Sequence, residues 1–301
     1  MVEEITLRKV STSEEIHLDM VSTPGFILES VEWGPIKGTH NKYKYMNQVG
    51  ESVTSTTLGT RDVTIKGWVV AYTERDMSLR KSILNSFVNP QESVDLLYKN
   101  YTLRFSPDET VQYASKPAEN NEVICKFQIV GTAHDPTFKD SVENKSVFAS
   151  TAPAFHFPLV ISAALPEGGV IFGKRTDSLI ASVVNNGSLP TGMRIVFKAK
   201  GSVTNPKLID VDTQNHLSIK KSLAAGEEIE VTTSTGEKRV RGRLSPTESF
   251  TNYYPYKTLD SSWLQLKVGN NLFRYDADEG LYNLDVFVYF QNRFLEVQEC
   301  Y

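Results

Sequence analysis

Cysteine is nearly absent from this chain of 301 residues, which holds only Cys125 and Cys300. Two cysteines build neither a disulfide framework nor a CxxC-type metal site. Cys125 alternates with Val123, Phe127 and Ile129 and reads as a small buried hydrophobe. Positive charge is not in excess either: 32 Lys+Arg stand against 36 Asp+Glu, a formal net charge of −4. That balance argues against a sequence-independent nucleic-acid binder, which needs cations to neutralise phosphates. Residues 1–148 hold 16 basic and 20 acidic side chains and the remainder 16 and 16, so neither half is a basic module. Long apolar runs are also missing. The richest, Ala152 to Leu165, is broken by Pro153, His156 and Pro158 and is shorter than the ~20 residues of a membrane helix. The start, Met1-Val2-Glu3-Glu4, lacks the positive and apolar regions of a secretory signal. Synthesis and folding in the cytoplasm, without a membrane partner, are expected.

Catalytic chemistry is equally sparse. The five histidines, His17, His40, His134, His156 and His216, have no HxxxH or HxH spacing that would place two on one face of an element for a metal. There is no GxSxG elbow, no phosphate-binding GxxxxGK[ST] loop and no GxGxxG after a strand. The acidic pairs Asp276/Asp278 and Asp210/Asp212 offer carboxylates for glycosidase chemistry or for Ca²⁺, or else a solvated loop and a strand edge. No catalytic, metal or cofactor residue is assigned, and the chain is not expected to be an enzyme. A cell-wall hydrolase would have to rest on two carboxylates that the sequence does not pair.

What is present is mostly period two. Val63 to Val70 is one β-rich run, and Val94 to Phe105 folds back at Lys99-Asn100 as a hairpin. Val123 to Val130 is a third run. Between Glu74 and Val88 the period changes: Leu79, Ile83, Leu84, Phe87 and Val88 recur at helical spacing, with Arg75, Arg80 and Lys81 on the other face. Thr73 with Asp76 resembles a capping box, and Asn89-Pro90 stops the helix. A domain boundary is expected near residue 148. Beyond it lie short strand-like runs at Gly169–Phe172, Leu179–Val184, Met193–Phe197, Leu217–Ile219, Ile229–Thr233, Arg239–Arg243, Leu264–Val268, Leu272–Tyr275 and Leu284–Phe290. Turn clusters separate them, which argues a β-sandwich.

Two further features invite partners. Lys238 to Arg243 is the densest basic run, with Arg239, Arg241 and Arg243 on one strand face; it meets an acidic partner or simply faces solvent. Tyr253-Tyr254-Pro255-Tyr256 either stacks on sugars or seals one end of the sandwich core, and Trp263 alternates with Leu264 and Leu266 in a core-like run.

The order of several turn signatures resembles a known family. Gly34-Pro35 through Gly50-Glu51, then Leu58-Gly59-Thr60-Arg61-Asp62 into Gly67, the helix, the Leu97-Tyr98 hairpin and His134-Asp135-Pro136 resemble the N-terminal domain of siphophage distal tail proteins. Asn185-Asn186-Gly187 through Gly192, Gly201 with Asn205-Pro206, Leu223 with Gly226-Glu227, and Leu259-Asp260 through Asn270-Asn271 resemble that family's C-terminal domain. Val268-Gly269 replaces an expected Pro-Gly, a departure confined to the rigidity of one turn.

The resemblance implies a mainly β chain: residues 1–148 a ring-forming, tail-tube-like split β-barrel with one helix, and 149–301 a galectin-like β-sandwich at the periphery. It implies a homo-hexameric ring between the tail tube protein and the tail-associated hub or lysin protein, with receptor-binding proteins held by the C-terminal domains. DNA passes the channel without specific binding. The place implied is the virion tail tip of a phage or prophage, assembled in the bacterial host cytoplasm. The segment Thr39 to Thr60 is rich in Lys, Asn, Gln, Ser and Thr, with Tyr43, Tyr45 and Met46 as its larger apolar groups. Such a hairpin has little to bury in its own domain. The resemblance implies that Tyr43, Tyr45, Met46 and Asn47 contact the adjacent subunit. The alternative is a carbohydrate- or receptor-binding protein of the host cell wall, acting through Tyr253, Tyr254 and Tyr256 of the sandwich.

Overall fold

Alternation of apolar and polar residues is enough to pair most of the first half of the chain into strands. The computed structural model describes residues 4–21, 25–148, 151–153, 173–175 and 179–297. The expected run at Gly169–Phe172, His156, Cys300 and most of the apolar stretch 152–165 lie outside the described residues. The chain divides into two units, Met1–Ser141 with Phe294–Tyr301, and Val142–Arg293.

In the first unit the strands are β1 (Glu4–Lys9), β2 (Glu15–Asp19), β3 (Gly25–Trp33), β4 (Gly38–Tyr43), β5 (Ser52–Leu58), β6 (Arg61–Val70), β7 (Val94–Tyr98), β8 (Tyr101–Pro107), β9 (Gln112–Tyr113), β10 (Ile124–Ala133) and β11 (Phe138–Asp140). They pair in the order β11-β8-β7-β1-β2-β3-β6-β10-β9. β8 also pairs with β10, through Gly131↔Pro107 and Thr132↔Ser106, so the sheet closes on itself. The joint between β2 and β3 is a single parallel pair, Asp19↔Ile27. Lys99, at the turn of the expected β7–β8 hairpin, takes a φ of +52°.

Every second residue of β6 and β10 points inward, and Val63, Ile65, Val69, Cys125, Phe127 and Ile129 share one core with Leu7, Leu18, Leu96 and Phe105. Gly67 is required for this packing. A Cβ there would lie 2.7 Å from the ring of Phe127 and 2.5 Å from the carbonyl of Ile27.

The helix α1 (Glu74–Phe87) starts as expected, Thr73 Oγ1 accepting from the Asp76 amide at 3.2 Å. The box is not reciprocal, because the Asp76 carboxylate accepts from the Tyr72 amide instead. The buried face also differs from expectation. Met77, Leu84 and Phe87 face the core, whereas Leu79 and Ile83 are exposed. At about 100° per residue, Leu79 and Leu84 stand about 140° apart and cannot share one stripe. Arg80 and Lys81 flank the buried stripe and are half-buried, Arg80 bonding Asp76 and Lys81 bonding Asn120.

The second unit begins before the expected boundary at 148, because β12 (Asn144–Val147) already pairs with a strand of the sandwich. Its other strands are β13 (Thr151–Pro153), β14 (Gly173–Arg175), β15 (Ile180–Asn185), β16 (Met193–Ala199), β17 (Val203–Thr204), β18 (Lys207–Asp210), β19 (His216–Ser218), β20 (Ser222–Leu223), β21 (Glu228–Thr232), β22 (Arg239–Arg243), β23 (Thr251–Asn252), β24 (Gly269–Asp276) and β25 (Leu284–Phe290). One sheet runs β12-β25-β16-β21-β22-β23 and the other β15-β24-β18-β19. Inward residues of both, among them Ile195, Phe197, Val231 and Val288 from the first and Val183, Leu208 and Phe273 from the second, form one apolar cluster. This is a sandwich core. The expected strand at Leu264–Val268 is not one: its backbone makes a single bridge, Thr191↔Leu266, although Leu264 and Leu266 are buried.

The chain then returns to the first unit through β26 (Arg293–Phe294), which extends the first sheet beyond β11 to ten strands. The chain is mainly β, with one α-helix among the described residues. None of their helices is long and apolar enough to cross a membrane.

Candidate functional site

The groups that offered chemistry are engaged locally. Among the described residues no cluster of three or more His, Cys, Asp or Glu is placed to hold a metal ion. His17 bonds Thr6 Oγ1 at 2.8 Å, His40 bonds Thr56 Oγ1 at 2.8 Å, and His216 pairs with Asp260 at 3.1 Å. Asp278 accepts from Asn205 at 2.7 Å and from Lys207 at 3.2 Å, and these two hold its carboxyl below the ordinary range. Burial opposes ionisation of Asp210, but hydrogen bonds from the Thr213 side chain and amide and from the Asp212 amide outweigh it and lower its pKa. Asp210 and Asp278 therefore each tie a turn together.

The basic run is a charge ladder. Antiparallel register sets Arg241 opposite Glu230 and Arg243 opposite Glu228. The ion pairs follow at 2.7 and 2.6 Å, and both guanidinium groups also lie against Phe250, 4.4 and 4.6 Å from its centroid. Cross-strand opposite charges of this kind support a sheet face, so the run needs no acidic partner from outside.

The segment between β3 and β6 is the feature least satisfied within its own unit. β3 and β6 are neighbours in the closed sheet, and between them β4 and β5 form a separate two-stranded hairpin. Its rungs are polar: Asn41 Nδ2 donates to Ser55 Oγ at 2.8 Å, and Lys42 pairs with Glu51 at 3.1 Å. Tyr43 and Tyr45 meet edge to face at 5.0 Å. Asn47, with a φ of +68°, and Gly50, at +83°, turn the tip. Met46 is 94 % exposed and Val49 fully so. A hairpin of two strands is marginal by itself, and the apolar groups at its tip are left exposed.

The tyrosines of the sandwich separate. Tyr253 is 8 % exposed, donates to the buried carboxylate Glu227 at 3.1 Å and covers Gly242, where a Cβ would lie 2.2 Å from the ring. It is a core residue. Tyr254, 53 % exposed, stacks on half-buried Trp263 at 6.2 Å. Tyr256 is partly exposed and meets Tyr253 edge on. Lys257 and Lys238 lie 5.3 and 5.7 Å from the Trp263 ring.

Residues 186–294 match the family model of the siphovirus-type tail component, C-terminal domain. Within the second unit, these residues are similar to the siphovirus-type tail components. The resemblance to siphophage distal tail proteins extends to the fold of the whole chain. The Dit protein of phage SPP1, described as a paradigm of the hub adsorption apparatus of phages infecting Gram-positive bacteria, superposes with a TM-score of 0.65 at 14% identity, over 96% of this chain and 99% of that one. A chain of the phage P2 baseplate, in its activated conformation with Ca, gives 0.56 at 10% identity over 97% and 98% of the two chains. The same baseplate with Sr gives 0.55 at 9% identity, again over 97% and 98%. No curated protein matches the chain.

One element of this fold is invisible in the sequence. Arg61, the first residue of β6, is 0 % exposed. Its guanidinium lies over Phe138, 4.9 Å from the centroid, and donates through Nη2 to the carbonyl of Leu295 and to Glu296 Oε2 at 3.3 Å. Trp33 Nε1 donates to Glu296 Oε1 at 2.9 Å, and Phe294 packs edge on against Tyr101 at 5.3 Å. Burial pushes the Arg61 pKa down, with Glu296 opposing. The returning C-terminal segment is thus fastened to the first unit by a buried cation. Its signal in the sequence is one charged residue ahead of an apolar run, which any strand edge shares.

Proposed function

We propose that this protein is the structural hub at the distal end of a long, non-contractile phage or prophage tail. In this reading it forms a homo-hexameric ring that joins the tail tube protein to the tail-associated hub or lysin protein. The first unit is the tail-tube-like split barrel lining the channel, and the second is a galectin-like platform that supports receptor-binding proteins. The observation that carries it is the likeness to SPP1 Dit over 96% of this chain and 99% of that one, with the tail-component domain in the matching half. The protein acts at the virion tail tip, after assembly in the host cytoplasm, and takes part in host attachment without catalysing a reaction.

The hairpin supports the ring. A contact that closes by rotation needs two different surfaces on each subunit, one complementary to the other. Tyr43, Tyr45, Met46 and Asn47 supply the first, on a projection with no core of its own. The net charge of −4 suits a channel that lets DNA pass without holding it. Negative-stain microscopy of the purified protein should show six-membered rings with peripheral lobes, and a uniform field of monomers would refute the ring. Deleting Asn41 to Ser55 should leave a folded monomer; rings persisting on light scattering would remove the hairpin from the interface.

A second reading rests on Tyr254 stacked over Trp263 beside Lys238 and Lys257. An exposed aromatic face between ammonium groups suits an anionic glycan of the host wall. Pull-down of the full chain on purified wall polysaccharide, lost in Tyr254→Ala, would support it, and equal retention of both proteins would end it.

A further inference from the structure

A hairpin that reaches a neighbour needs an acceptor on that neighbour. One flank of α1 carries Glu74, Lys81 and Ser82 on a single face, at spacings of seven and eight residues. With Glu122 opposite, this flank walls a groove in which Met77 also lies, and the groove continues along Val123. Glu74 and Glu122 are exposed and form no ion pair among the described residues. Lys81, the cation of the groove, keeps its charge but is held to one side, donating to Asn120 Oδ1 at 2.9 Å and lying 5.2 Å from the Tyr113 ring. Two carboxylates against one ammonium leave the groove net acidic, with an exposed apolar rim at Val123.

The hairpin tip has the opposite character. Lys42 is paired with Glu51, but Lys44 is exposed and has no ionic partner among the described residues. Beside it stand Met46 and Val49, with nothing to cover. We propose that the groove between α1 and Glu122 receives the hairpin tip of a second copy of this chain, with Lys44 between Glu74 and Glu122 and Met46 against Val123. This assignment rests on the ring reading and names its second surface. Charge complementarity selects a second copy as the occupant, since the unpaired cation and the unpaired carboxylates belong to the same chain and lie on different faces of a head-to-tail contact.

Charge reversal tests it on the full-length protein. Lys44→Glu and Glu122→Lys, both on exposed side chains, should each raise the dissociation constant of a subunit contact about tenfold. The double variant should restore it, as read by mass photometry over a concentration series. Single variants that assemble like wild type, or a double variant no better than either, would overturn the groove while leaving the ring intact. A wild type that is monomeric throughout would overturn the ring itself. A second measurement does not require stable rings. In a Cys300→Ser background, Met46→Cys with Ser82→Cys should give a ladder of oligomers on oxidation with diamide, while each single-cysteine chain stops at the dimer. A double-cysteine chain that also stops at the dimer counts against the groove.

Discussion

The fastening of the C-terminal segment by Arg61 makes an asymmetric prediction. Truncating the chain after Arg293 removes Phe294, the Leu295 carbonyl and Glu296 together, and strips a guanidinium that is buried in the intact chain of its hydrogen-bond partners, leaving the Phe138 ring beside it. Its Nε and Nη1 already lack hydrogen-bond partners. Stranding a buried charge costs about 3–5 kcal/mol, and exposing the surface that Phe294 covers adds about 2 kcal/mol. Glu296 is 63% exposed on its side chain, so its ionic share is screened and the lower end applies. The expected loss is about 5 kcal/mol, comparable with the whole stability of a small domain.

Arg61→Met gives the opposite result. A methionine fills similar space without a charge to desolvate, and such replacements are close to neutral, within about 1 kcal/mol. In that background the truncation should then cost only about 2 kcal/mol, the apolar share. Urea unfolding followed by tryptophan fluorescence is the assay. Trp33 and Trp68 report the first unit and Trp263 the second. With a slope of about 2 kcal/mol per molar urea, the truncation should move the first-unit midpoint by about 2.5 M in the wild-type background and by about 1 M in the Arg61→Met background. An equal shift in both backgrounds, or an Arg61→Met variant as unstable as the truncation, would refute the latch.

Other outcomes follow from the same contacts. Gly242→Ala should destabilise the second unit by about 1–3 kcal/mol in urea, because the added methyl collides with the Tyr253 ring. Leu79→Ser should change stability by less than about 0.5 kcal/mol, whereas Leu84→Ala costs about 2–5 kcal/mol, which tests the helix face directly. The lowered pKa of Asp210 stabilises the second unit above the unfolded carboxylate value of about 4, and that stability is lost as pH falls through the lower folded value. The urea midpoint of the Trp263 transition should drop as the pH falls below about 4, and less steeply in Asp210→Asn.

The sequence made legible what depends on near neighbours. Val94 to Phe105 alternates within two strands joined by two residues, so its pairing is local and is found as expected. The Arg239–Arg243 face was equally local, but its glutamates sit on the preceding strand in a register that only the folded hairpin fixes. The tyrosine cluster divided for a similar reason. Nothing in Tyr253-Tyr254-Pro255-Tyr256 says which ring lies over Gly242, eleven residues earlier than Tyr253. The return of the chain at Phe294 was least accessible of all. Its two-residue strand carries no periodicity, and its partner Arg61 is more than two hundred positions away.

The mixed outcome at α1 shows what a pattern does and does not contain. Five apolar residues at spacings of three and four announce a helix, and the helix is there. A helix with a single buried stripe accommodates about three or four of them per two turns, and the sequence alone does not say which are left over. Met77, rather than Leu79, completes the stripe with Leu84 and Phe87, which turns Leu79 and Ile83 outward and brings Glu74 and Ser82 to the groove. The hairpin was legible by the opposite logic, since a segment poor in aliphatic residues announces that it has no core to join. Leu79 and Ile83 line neither wall of that groove, so under the proposed ring the polar hairpin and the groove beside Glu74 are the two different surfaces that a head-to-tail contact requires.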